Sequence, residues 1–263
     1  MGKFIQYDII EILPTLKEFV EKVALDKEYS KEALFDLYRQ VKSYETGKTK
    51  KVFSNILTRI LFGVFKKGEK KSLNPLGILI KKDNLKENLL VEVIYLDLYN
   101  NTEIFRIECE ELYKYLIRRG NFSYSKESFE EFIFARVERI LEDDENLKEN
   151  INNTRNKMYR TVKNLIILGA ITNKNGIYVM QPLKPDWRLV AYLIVTEFKA
   201  KKVKIENIKK GKFKKILFIS DYDIEEYLEK MQLENLIMVE RRSGLSQINI
   251  NISDPYELVK FII

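Results

Sequence analysis

The chain has 263 residues, 45% hydrophobic and 32% charged, with 46 Lys plus Arg against 39 Asp plus Glu; the resulting net charge of +7 permits a polyanionic partner. The absence of His and the single Cys109 exclude Ser-His-Asp and Cys-His catalysis, His- or Cys-built zinc sites and a disulfide framework. Ten Gly and five Pro are too few for an all-β fold stitched by tight turns, and the longest uncharged apolar run, residues 189–196, is too short to span a membrane. The start of the sequence lacks the pattern of a secretory leader, and one thiol fits a reducing compartment. The expectation is a soluble cytoplasmic protein with no cofactor, no membrane partner and no small-molecule substrate.

In chain order, Leu16, Phe19, Val20 and Val23 recur at helical spacing, ending at Asp26. Ser30 can cap a helix striped by Leu34, Leu37, Tyr38 and Val41, which Gly47 breaks. Thr49 opens another, with Val52, Phe53, Ile56, Leu57, Ile60, Leu61 and Val64, before a cationic loop at 66–71. Residues 85–99 read as a further helix. Short polar connections favour antiparallel neighbours, so residues 1–100 form an expected helical bundle.

Residues 101–185 have a more definite order. Residues 104–117 are helical. Ser125 caps a helix carrying Phe129, Phe132, Ile133, Val137, Ile140 and Leu141, and an acidic linker covers 142–150. Asn153 caps a third helix, 154–168, closed by Gly169. The apolar runs 170–172 and 177–180 then flank Asn175-Gly176, a hairpin signal. Helix, helix, helix, hairpin is the order of a winged helix-turn-helix.

Within residues 186–263, Ser220 with Asp223 opens a helix to about Gln232. A hairpin follows about Ser243-Gly244, with Ile248, Ile250 and Ile252 alternating with Gln247, Asn249 and Asn251. A candidate second winged-helix-like unit, helix then hairpin, therefore repeats in shape but not in sequence. Residues 199–215 hold nine Lys and read as a helix end and a charged loop. The expected fold is mostly α: an N-terminal helical bundle, a winged helix-turn-helix module and this C-terminal helix-hairpin unit.

On the helix 154–168, Met158, Val162, Leu165 and Ile166 share the side expected to face the core. The other side carries Asn156, Lys157, Arg160 and Asn164, flanked by Thr161 and Lys163. Arg and Lys can donate to guanine or phosphate, Asn can pair with adenine, and the helix N-terminus favours phosphate. Any surface helix of a basic protein also looks like this. Lys174 sits at the hairpin tip, where a wing would reach a backbone, or where a turn lysine is simply solvated. Arg155 projects towards the apolar side and is expected to pair with Asp143, Asp144 or Glu145.

Pro185-Asp186 followed by Glu197-Phe198-Lys199 spells the pattern of Mg²⁺-dependent nucleases. Such a site needs adjacent strands with a turn between them. The span 187–196 has no Gly, Pro, Asn or Asp, and Arg188, Leu189, Tyr192, Leu193 and Thr196 follow a helical repeat instead. Cys109, between Glu108 and Glu110, is expected to be structural rather than nucleophilic. Gly63, Gly68 and Gly77 do not form a phosphate-binding loop.

Residues 105–187 resemble the BrxA family of bacterial BREX phage-defence systems. The resemblance is carried by Leu112-Tyr113-Lys114-Tyr115-Leu116, Phe129-Glu130-Glu131-Phe132 and Asn153-Thr154-Arg155-Asn156-Lys157, then by Val162-Lys163-Asn164-Leu165, Leu168-Gly169-Ala170-Ile171 and Gln181-Pro182-Leu183. It implies a small non-enzymatic accessory component, a helical bundle joined to a winged helix, that binds DNA beside a methyltransferase, an ATPase and other defence subunits. The DNA-facing positions it implies are Thr154, Asn156, Lys157, Arg160 and Lys163. The leading expectation is thus a double-stranded DNA-binding protein whose partners are DNA and other defence subunits, with Asn164 and Lys174 added from the residue pattern. A protein–protein adaptor on the same fold and a Mg²⁺-dependent nuclease using Asp186, Glu197 and Lys199 are the alternatives.

Overall fold

The apolar stripes of the first hundred residues each wind into a helix. The computed structural model describes residues 9–41, 49–82, 87–119, 122–140, 151–199, 202–242, 244–252 and 254–262. Helix α1 is Ile9–Lys22, α2 Lys31–Arg39, α3 Thr49–Phe62, α4 Pro75–Lys82 and α5 Glu87–Asn101. Ser30 caps α2, its Oγ accepting from Ala33 N at 3.2 Å. Helix α4 lies outside the expected elements, although Asn74-Pro75 is a start signal. Asn74 Oδ1 accepts from Gly77 N at 2.8 Å while its Nδ2 donates to Ile60 O at 2.9 Å, fastening α4 to α3. The loop at 66–71 is not wholly solvated, because Lys71 exchanges two 2.9 Å backbone bonds with Tyr29.

Helix α5 is buried on every side. Leu89, Leu90, Ile94, Tyr95, Leu98 and Tyr99 are in the core, and so are Glu92 and Asp97. A helix apolar all round is a central one. Asp97 is satisfied by a forked pair with Arg59 at 2.8 and 2.6 Å.

The second stretch runs α6 (Glu103–Arg119), β1 (Phe122–Ser125), α7 (Lys126–Ile140), α8 (Ile151–Leu168), β2 (Ile171–Lys174) and β3 (Ile177–Met180). The expected hairpin forms, Ile171 opposite Met180 and Lys174 opposite Ile177. Strand β1 was not expected, since four residues are too few to show a period. It pairs with β3, Phe122 opposite Met180, so the sheet order is β1-β3-β2.

The third stretch repeats this order with one more short helix between its first strand and its last helix. It runs α9 (Trp187–Phe198), β4 (Lys202–Lys204), α10 (Ile205–Lys209), α11 (Lys212–Leu217), α12 (Asp221–Leu233), β5 (Ile237–Arg242) and β6 (Leu245–Ile250), with sheet order β4-β6-β5. Helix α13 (Pro255–Ile262) follows and packs on α4 and α9. Lys199 closes α9 as the expected helix end, but residues 202–215 are not the expected charged loop. Among the lysines, Val203, Ile205, Ile208 and Phe213 are buried, and Leu217 follows them into the core. Lys202, Lys204, Lys210, Lys212 and Lys215 are exposed along this thin strand and two short helices, while Lys209 and Lys214 are half-buried and paired with Glu225 and Asp221.

The described residues are mostly helical with two small antiparallel sheets, and none of their helices is long and apolar enough to cross a membrane. The expected boundaries near 100 and 185 fall between elements, but a single apolar core runs through all three regions. Helix α8 packs on α1, α5, α6 and α7, and α11 packs on α5 and α6. Tyr95 Oη donates to Ile216 O at 2.6 Å, which ties α5 to α11.

A buried polar joint links α5 to the third stretch. Glu92 Oε2 and Oε1 accept from Asp186 N at 2.9 and 3.1 Å, and Asp186 caps α9 while gripping the Arg188 guanidinium at 2.8 and 2.5 Å. Burial pushes the Glu92 carboxyl up to about 8, against the opposing effect of the Asp186 N–H. The carboxyl binds its proton more tightly folded than unfolded, so its favourable contribution is complete below about 4.5 and disappears as pH rises towards about 8. Replacing Glu92 with Gln keeps an acceptor for Asp186 N and removes the titration. Thermal unfolding across this pH range should show E92Q gaining roughly 2–4 kcal/mol over wild type at the alkaline end and nothing at the acid end.

Candidate nucleic-acid interface

Two short-range rules shape the start of α7 and the hairpin, and one long-range bond joins them. Ser125 Oγ accepts from Ser128 N at 3.2 Å and starts α7 at Lys126. The hairpin turns at Asn175 and Gly176, both at positive φ (52° and 82°), with Asn173 Oδ1 accepting from Gly176 N at 3.1 Å. The backbone N–H of Lys126 then donates to Gly176 O at 2.8 Å, which fastens the start of α7 to the turn.

Tyr159 of α8 organises the cations beside this junction. The ammonium groups of Lys126 and Lys163 each lie 5.6 Å from its ring centroid. The Tyr159 hydroxyl beside Lys126 holds that ammonium above its ordinary pKa, so it stays charged. Lys163 and Lys174 are exposed and Lys126 is half-buried. Lys174 stands two residues before the carbonyl that Lys126 binds. Three cations from three elements thus gather at one end of the first sheet, a form suited to phosphate groups spaced along a backbone.

The expected site residues divide into four groups. Lys163 and Lys174 are exposed as expected. Arg160 is half-buried and already engaged within the protein. Thr154, Asn156 and Lys157 ride on the first turns of α8, and their side chains lie outside the described residues, as do Arg155 and the acidic linker expected to pair with it.

Asn164 is a correction. Its side chain is 0% exposed and Oδ1 accepts from Ile9 N at 2.8 Å, capping the first turn of α1. Thr161 is buried too, its hydroxyl donating to Glu108 of α6. Burial pushes the Glu108 carboxyl well above its usual range. Helix α8 has neighbours behind it as well as below, so it buries Thr161, Val162, Asn164 and Leu165 together. A wheel that counts only apolar residues places the buried face too narrowly when polar residues find buried partners. The same wheel passed over Tyr159, and Lys126 lies on another helix. Only the β1–β3 pairing brings Lys126 to the hairpin, and no local pattern announces β1.

The three residues of the nuclease alternative, Asp186, Glu197 and Lys199, lie along and at the ends of one helix, α9, rather than on paired strands. Asp186 and Glu197 sit at opposite ends of α9, roughly 16 Å apart at 1.5 Å per residue. Both already serve as helix caps: Asp186 for α9, and Glu197 for α11, accepting from Lys212 N at 2.8 Å and Phe213 N at 3.3 Å. Cys109 is buried and its thiol is pushed up by that burial, as a structural cysteine's is. Comparison of the chain with family models, curated proteins and solved structures gives no match.

Substituting Asn164 with Ala strands the Ile9 N–H and should lower unfolding stability by about 1–3 kcal/mol. Denaturant titration reads this directly. Duplex affinity of the folded variant should equal that of wild type, in contrast to the outcome expected for a surface contact.

Proposed function

We propose that α6 to β3 forms a winged helix-turn-helix and that the protein is a non-enzymatic double-stranded DNA-binding component. The gathering of Lys126 and Lys163 about Tyr159 in the middle of α8, with Lys174 on the hairpin to which Lys126 is fastened, carries this reading. The element order and the sheet order β1-β3-β2 support the winged form, with the β2–β3 hairpin as the wing. Helix α8 would address the major groove with its first turns, while the three lysines neutralise phosphates and the wing follows the backbone. A face built mainly of lysines holds register without reading many bases, so the sequence preference is weak. The resemblance of residues 105–187 to BrxA supports a place in the cytoplasm beside other subunits of a BREX-like phage-defence system. A second reading, the protein–protein adaptor, is favoured by one observation: α12, which occupies in the third stretch the place of α8, carries Asp221, Asp223, Glu225, Glu226 and Glu229 against Lys230 alone.

Fluorescence anisotropy with a short duplex, repeated over a salt series, tests the DNA reading. K163A combined with K174A should weaken binding roughly tenfold and flatten the logarithmic salt slope by about two, whatever the duplex sequence. Unchanged affinity and slope would remove this face from DNA binding.

A further inference from the structure

The two repeated stretches share a register of backbone hydrogen bonds. Ala170 N donates to Leu165 O at 3.0 Å after α8, and Leu236 N donates to Met231 O at 2.9 Å after α12. Gln181 N then returns to Ala170 O at 3.1 Å, as Asn251 N returns to Leu236 O at 2.9 Å. Gly169 and Asn235, just before, both have positive φ, 86° and 60°. This register sets Val162 against Leu228 and Leu165 against Met231, all buried. It also sets Lys163 against Glu229, Arg160 against Glu226 and Lys174 against Glu240. The same scaffold therefore presents opposite charge at equivalent positions. Helix α8 carries Arg155, Lys157, Arg160 and Lys163 and no carboxylate, and α12 is predominantly acidic.

The α12 face also has apolar ends. Tyr222, Glu226, Glu229 and Leu233 recur at intervals of four, three and four residues and all are exposed, Tyr222 at 82% and Leu233 at 81%. Met238 of β5 is exposed near the Leu233 end of the helix. Glu226 makes an exposed i,i+4 pair with Lys230 at 3.0 Å and feels Lys184 nearby, contacts that are weak and can exchange partners, and Glu229 makes no ion pair among the described residues. Two large apolar anchors around carboxylates fit a protein surface with the reverse pattern. This chain has such a surface: exposed Lys163 and Lys174, with Ile177 beside Lys174 across the hairpin and 49% exposed.

We infer that α12 docks a second copy of this chain, its Glu226 and Glu229 facing Lys163 and Lys174 of the neighbour's α8 and hairpin. The contact is head to tail, since it joins two different faces, so it propagates to a ring or an open chain of copies rather than stopping at a symmetric dimer. It uses the cationic face on which the DNA reading rests but does not require that DNA bind there.

Sedimentation velocity on nucleic-acid-free protein tests it. At low salt the average mass should climb with concentration above the 31.3 kDa monomer, and high salt should return it to the monomer. K163E with K174E, and separately E226K with E229K, should each weaken association at least about tenfold. All four positions are exposed, so the reversals leave the core untouched, which circular dichroism checks. An equimolar mixture of the two variants should associate again, because each then offers the face the other lost. A wild type that stays monomeric at low salt, or a mixture that does not regain association, overturns the inference. Duplex binding by the wild type is measured separately and calls on Lys126, Lys163 and Lys174 but not on Glu226 or Glu229, so failure of one reading is not mistaken for failure of the other.

Discussion

Helix α8 has to be two things at once, a central strut of the core and the bearer of an outward face. Its inner side holds Val162 and Leu165 by burial and Thr161 and Asn164 by buried polar contacts with α6 and the first turn of α1. A buried Asn or Thr without such partners would be a liability, so these contacts fix the helix's rotation as well as its position. That rotation is what turns Lys163 outward and leaves Arg160 half-covered. The charge pattern of the candidate interface follows from how the opposite side of the helix is satisfied.

The helices with strong apolar periods were legible from sequence, and so were the Ser30 and Ser125 caps and the Asn175-Gly176 hairpin, because each is decided within one or two turns of chain. Three things were not. Strand β1 exists through its partner β3, and four residues carry no period of their own. The strand and short helices of residues 199–215 hide behind their lysines, since only every second to fifth residue there points inward. The rotation of α8 depends on Glu108 and Ile9, residues distant in sequence. Of the candidate site, the outward lysines were readable from the pattern, whereas Asn164 was assigned to the wrong side for want of those distant partners.

Repetition with reversed charge is the feature that a pattern search by residue similarity does not find. What the two stretches share is the geometry of a helix end, a left-handed cap residue and a returning strand, together with matched apolar positions. Surface charge is free to diverge on such a frame, because exposed substitutions barely alter stability. One scaffold can therefore present a cationic face and an acidic one within a single chain.

The undivided core has a bearing on how the molecule can be dissected. Tyr95 and Tyr113 send their hydroxyls to carbonyls of the chain just before α12, and Phe213, Leu217 and Phe218 fill the space between α5 and α6. A fragment ending near residue 185 would bare that apolar seam and strand those phenols. Such a fragment would be prone to aggregate, and its loss of binding would speak to misfolding rather than to the surface that was cut away.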